Sequence, residues 1–134
     1  MTSKIGSLFR EPYHVINLCF AGIIILIFIY SGIFSAEKNN YPIKSACAEI
    51  ESHPCKSEGL SRSFSEIVRF RFESAGSYNK YGIKIFLFFL IQLFLRVFSS
   101  FLLHQKVLPQ NQLVLIDSVL SAALYFYCFL RIIF

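Results

Sequence analysis

Three apolar runs, separated by one long polar stretch and one short one, set the architecture that this sequence predicts. From Tyr13 to Ala36 no Asp, Glu, Lys or Arg occurs. About 20 apolar residues suffice to cross a hydrocarbon layer of about 30 Å, so this run predicts a membrane-spanning helix. Pro12 suits its first turn, where a missing N–H costs nothing. A second span is predicted over Tyr81–Leu103 and a third over Gln112–Phe134. The connection His104–Asn111 is short and contains Pro109, which makes these two an antiparallel hairpin. The expected fold class is therefore all-α: a polytopic membrane protein with three transmembrane helices and one amphipathic surface helix, forming a single membrane domain over residues 1–134.

The surface helix is read from the extramembrane segment 37–78. Ser63 with Glu66 three residues on fits a capping box. Phe64, Ile67, Val68, Phe72 and Ala75 then share one helical face, with Arg62, Glu66, Arg69 and Glu73 on the other at pairing distances. Gly76 is a sensible C-terminal stop. An apolar face backed by charges predicts a helix that lies on the membrane surface. Residues 38–58, with Pro42 and Pro54, read as irregular.

Composition agrees with lipid as the solvent. Apolar residues make up 55% and charged residues 16%, against about 25% charged in soluble domains. The net charge of +5 does not indicate nucleic acid, because the cations are scattered and six of the eight acids lie among them between Glu37 and Glu73. Topology is the better account of the charge. Lys4 and Arg10 precede the first span, which is read as an uncleaved anchor with a cytoplasmic N-terminus. The seven cations of the segment 37–80 argue for the opposite orientation. The first helix usually dominates.

Candidate chemistry is sparse. Cys47, Glu49, Glu51, His53 and Cys55 alternate, so in extended chain they would point one way and offer weak zinc ligands, above all Cys47, His53 and Cys55. Standard zinc spacings are missing, and a disulfide between Cys47 and Cys55 in an oxidising compartment is the simpler use. Cys19 and Cys128 read as small apolar residues, and His14 and His104 as rings anchored at the interface. No spacing supports Ser–His–Asp catalysis, and phosphate-loop and dinucleotide glycine patterns are absent. Neither enzymatic activity nor a cofactor is expected.

Polar residues inside the spans stand out more. Gln92, Arg96 and Ser99 share one stripe of the second span, and Asp117, Ser121, Cys128 and Arg131 one stripe of the third. A charge exposed to lipid costs roughly 2.5–3.5 kcal/mol on insertion scales. Arg96 and Asp117 lie at similar depths, roughly 10 and 8 Å from the same end of the hairpin at about 1.5 Å per residue. They are expected to pair, with Gln92, Ser99 and Ser121 satisfying leftover groups; the alternative is that Arg96 snorkels to the nearer headgroups and Asp117 meets water or a partner subunit.

One stretch resembles a known family. Tyr41-Pro42, then Cys55-Lys56-Ser57-Glu58-Gly59-Leu60-Ser61-Arg62-Ser63-Phe64, then Tyr78-Asn79 entering a Phe/Leu-rich span, is similar to the uncharacterised bacterial membrane family called domain of unknown function 2752. Cys55, Gly59, Ser61 and Arg62 carry the likeness, which covers under half of the chain. Tyr41 stands where the family has its early Cys, Glu58 replaces the second Cys of its Cys-x-x-Cys, and Lys80 follows Asn79 in place of Pro. The resemblance implies bacterial membrane residence and the order helix, signature loop, surface helix, helix. The function expected is a non-enzymatic accessory or structural subunit of a bacterial cytoplasmic-membrane complex. Its partners would be the bilayer and a larger membrane protein or further copies of itself. The alternative is a small metal- or thiol-handling protein that uses the 47–55 loop.

Overall fold

The computed structural model describes residues 12–37, 41–42 and 56–133, with side chains to Leu130. The described residues form five helices: α1 (Pro12–Ile33), α2 (Leu60–Val68), α3 (Phe72–Tyr78), α4 (Gly82–His104) and α5 (Gln110–Ile133). α1, α4 and α5 are long and apolar enough to cross a membrane. α4 is the central helix. Phe28 stacks on Phe86 at 4.8 Å while Asn17 meets Arg96, so α1 runs antiparallel to it. α5 does the same on the other side, with Tyr127 beside Lys84 and Ser121 beside Arg96. The bundle thus has a hairpin end, where α1 begins and α4 turns into α5, and a cap end, where α2 and α3 pack on α1 and α4.

The largest core lies at the cap end. Phe64 of α2 is buried there with Ile67, Ala75 and Ile85. Its ring meets Phe86 and Phe89 edge-on at 5.3 and 6.1 Å. Burying such a side chain fully is worth about 1.5–3 kcal/mol, so α2 is held mainly by this wedge.

The single surface helix expected over 64–75 is instead two helices, α2 and α3. α2 ends in a Schellman motif: the Phe70 N–H donates to the Ile67 carbonyl at 2.9 Å and the Arg71 N–H to the Glu66 carbonyl at 2.9 Å. The left-handed residue of that motif is usually glycine, but here it is Phe70, at φ 61. That conformation costs an L-residue roughly 1–2 kcal/mol. The break resets the helical phase, so Phe72 points outward, half exposed, while Ala75 stays buried. Gly76 does not stop α3, which continues to Tyr78.

The capping box is not formed. α2 starts four residues earlier, with Gly59 in the left-handed conformation as its N-cap, and this puts Ser63 and Glu66 inside the helix. Glu66 does not lie on a solvated face either. It is 2% exposed, with Arg71 Nη1 3.6 Å from one carboxylate oxygen. α2 is covered on several sides, by α1, α3 and α4, so its polar stripe is enclosed as well.

A cation instead closes α1. Arg69 donates from Nη1 to the Ser31 carbonyl at 3.3 Å and from Nη2 to the Gly32 carbonyl at 2.9 Å. Ser65 Oγ donates to the Phe34 carbonyl at 2.7 Å. These are carbonyls that a helix end leaves unpaired, and a positive charge there also suits the helix dipole. Arg69→Ala is expected to lower stability by about 1–3 kcal/mol, read as thermal unfolding in detergent. Arg69→Lys should recover only part of it, because an ammonium lacks the planar fork that reaches two carbonyls. If neither variant loses stability, the cap does not bind α2 to α1.

Candidate functional site: the intramembrane polar cluster

Each spanning helix contributes polar groups to one place, about a third of the way in from the hairpin end. From α4, Arg96 projects between α1 and α5. Its Nη1 pairs with Asp117 Oδ2 of α5 and donates to Asn17 Oδ1 of α1 at 3.0 Å. Its Nη2 donates to Ser121 Oγ at 2.9 Å and to Gln92 Oε1 at 3.3 Å. Tyr13 supplies a second bond to Asp117 Oδ2, from its hydroxyl at 2.9 Å. The Phe20 ring lies 5.7 Å from the guanidinium carbon, within reach of a cation–π contact.

The local reasons are simple. Gln92 and Arg96 are one helical turn apart, as are Asp117 and Ser121, and Tyr13 and Asn17, so each helix presents a matched pair of polar positions. Asp117 is 4% exposed and Asn17 0%. Two charges in a water-poor bundle are tolerable only when paired and hydrogen-bonded. Here four polar side chains on three helices bond one guanidinium, and Tyr13 bonds the carboxylate of the pair. The pair is neutral overall, and it fixes the relative positions of all three spans.

Chemically the guanidinium is engaged on both terminal nitrogens. Arginine has no lone pair to act as a base, and the Asp117 oxygen nearest to it already accepts two bonds. Ser121 Oγ donates to Gln92 Oε1 at 3.4 Å. Asp117 Oδ1, Asn17 Nδ2 and His14 Nδ1 are buried without a hydrogen-bond partner among the described residues.

The expected pair Arg96–Asp117 is thus in contact, with Gln92 and Ser121 beside it, and Ser99 is buried on the same stripe of α4. Asn17 and Tyr13 were not expected in the site, although Asn17 is a polar residue in an apolar span at matching depth. That depth was the available signal. His14, expected at the interface, is 7% exposed and faces the bundle. Cys128 is buried on α5 and Cys19 is exposed on α1. Arg131 has no described side chain.

Residues 43–55 lie outside the described residues, and with them Cys47, Glu49, Glu51, His53 and Cys55, hence the weak metal site and the disulfide. Among the described residues no group of three or more His, Cys, Asp or Glu side chains could hold a metal ion.

The signature residues that are described build a turn. Gly59 has φ 72, and a Cβ there would lie 2.4 Å from the Tyr78 carbonyl oxygen. Asn79 Nδ2 donates to the carbonyls of Lys56 and Glu58 at 3.0 and 2.8 Å, and its Oδ1 accepts the Tyr81 N–H at 2.9 Å. The turn 56–59 is thereby clasped to the junction of α3 and α4. Ser61 and Arg62 are exposed. The Ser61 carbonyl accepts from Tyr41 Oη at 3.4 Å. Burial pushes the Tyr41 phenol above its ordinary pKa, with Ser65 and Arg69 pulling the other way, so it remains a donor at neutral pH. No family model, no curated protein and no solved structure matches this chain.

Proposed function

We propose that this small integral membrane protein is a non-enzymatic accessory or structural subunit of a bacterial cytoplasmic-membrane assembly, with its N-terminus in the cytoplasm. The observation that supports this is how little of each span the chain buries itself: 22% of an 18-residue apolar stretch of α1 and 17% of such stretches of α4 and α5. The intramembrane charges give no such support, because Arg96 finds its partners within the three helices. The outer faces do. α5 packs chiefly on α4, and Tyr125 and Tyr127 on it are 45% and 74% exposed. Exposed tyrosines suit protein interfaces, where the ring is covered and the hydroxyl finds a partner.

Purification in mild detergent tests the reading. A larger membrane protein should copurify in fixed stoichiometry. It should be lost with Val119→Trp on the outer face of α5 and retained with Leu26→Trp on α1; the two positions are 61% and 65% exposed. Recovery of only the lipid-bound chain, or equal behaviour of both variants, would sink the proposal.

Orientation has its own test, in chain whose four cysteines are replaced. A cysteine at Glu58, exposed at the cap end, should react with an impermeant maleimide in intact spheroplasts. One at Lys106, at the hairpin end, should react only after lysis. The reverse pattern would put the N-terminus outside.

A further inference from the structure

Phe70 combines two features that are hard to reconcile within the chain. It occupies a left-handed position, φ 61, that glycine would fill without strain. It is also 81% exposed, more than any other large apolar side chain described. Its described ring neighbour is Phe72, 6.4 Å away and itself 50% exposed. Packing against the described residues does not compensate the strain. We propose that Phe70 and Phe72 form an aromatic wedge that enters the bilayer at the boundary between hydrocarbon and headgroups and sets the depth of the elbow between α2 and α3.

The depth follows from α1. Its 22 residues extend about 33 Å at about 1.5 Å each, close to the hydrocarbon thickness of about 30 Å. The last turn of α1 therefore lies at the boundary. Arg69, directly before Phe70, donates to the Ser31 and Gly32 carbonyls of that turn. A Cβ on Gly32 would lie 3.9 Å from Val68 Cγ1. These contacts hold the elbow at the same level. Ile29 and Ile33 of α1, 51% and 64% exposed, continue the apolar surface to that height.

The other flank is held too. Arg71 pairs with Glu37, four residues beyond the end of α1, and lies 3.6 Å from Glu66. Arginines flank Phe70 on both sides and Arg71 precedes Phe72, and apolar rings with cations beside them suit the headgroup boundary. A water-facing elbow would gain nothing from either ring. The inference needs only that the three spans cross a bilayer, and it is independent of any partner subunit.

The chain has no tryptophan, so Phe70→Trp introduces a single fluorescent reporter. The full chain would be reconstituted in vesicles of phosphatidylcholine and phosphatidylglycerol. Phe94→Trp, mid-way along α4 and 68% exposed, is the deep comparator. The reporter at position 70 should emit to the blue of tryptophan in water and resist iodide. Lipids brominated near the top of the acyl chain should quench it more than lipids brominated near the terminal methyl, with the opposite order at position 94. Iodide-quenched, red emission at position 70 would overturn the wedge. So would blue emission that neither brominated lipid quenches, since protein would then cover the ring. Should Phe70→Trp fail to insert, Phe72→Trp is read against the same outcomes.

Discussion

Asp117→Ala is expected to be among the most damaging single substitutions in this protein, at about 3–5 kcal/mol, the usual loss when one member of a buried ion pair is removed. It leaves Arg96, which is 16% exposed at its side chain and cannot shed its charge. Asn17, Gln92 and Ser121 would still accept from it, but none carries a compensating charge. Arg96→Ala should cost less, because the Tyr13 hydroxyl still bonds the Asp117 carboxyl group left behind. The double variant should then cost less than the sum of the two by about 1–3 kcal/mol. Reversible unfolding in mixed micelles measures all three. Strict additivity would mean that the pair does not interact in the folded protein. Asn17→Leu extends the test: it should weaken the wild-type background and be nearly neutral once Arg96 is alanine, because the bond it removes is then already gone.

Gly82→Ala is the second large effect. A Cβ at that position would lie 1.9 Å from Ser63 Oγ and 2.6 Å from Ser63 Cβ. Ser63 is fully buried within α2, so neither side of the contact can give without moving a helix. Alanine in a helix is worth up to about 1 kcal/mol over glycine, yet the overlap should exceed that gain. Overpacking of this kind typically costs about 1–3 kcal/mol. Ser63→Gly should rescue the variant in part, because it removes both atoms that the new methyl group meets. Gly22→Ala and Gly76→Ala serve as references, since nothing lies within 4 Å of a Cβ at either; they should be neutral or slightly stabilising. Thermal unfolding of the four variants in one detergent decides the matter. If Gly82→Ala melts with the references, α2 does not approach α4 as closely as the structure has it.

The contrast between these two sites bears on how the chain is built. The polar cluster joins residues that periodicity and depth already align, because a spanning helix has a nearly fixed rise and orientation. Arg96 and Asp117 could therefore be matched by counting from the turn between their helices. The contact of Ser63 with Gly82 follows from no such rule. It depends on the direction in which a short helix outside the spans crosses the start of α4, and a helical period carries no information about crossing direction.

By itself the sequence determined the three spans, their alternating direction and the neutral charge pair within them. Hydrocarbon imposes these features: backbone groups in lipid must be bonded within a helix, and a charge must find an opposite one. Only the tertiary structure decided that Asn17 and Tyr13 complete the cluster, since two other helices had to converge on α1 first. Only it decided that the amphipathic segment breaks at Phe70. There the Schellman motif and the bonds from Arg69 to the end of α1 outweigh a periodicity that would have continued through Ala75. Glu66 shows the same limit. Its spacing marks a solvated face, yet α1, α3 and α4 enclose α2, and enclosure by neighbours is a property that local patterning does not encode.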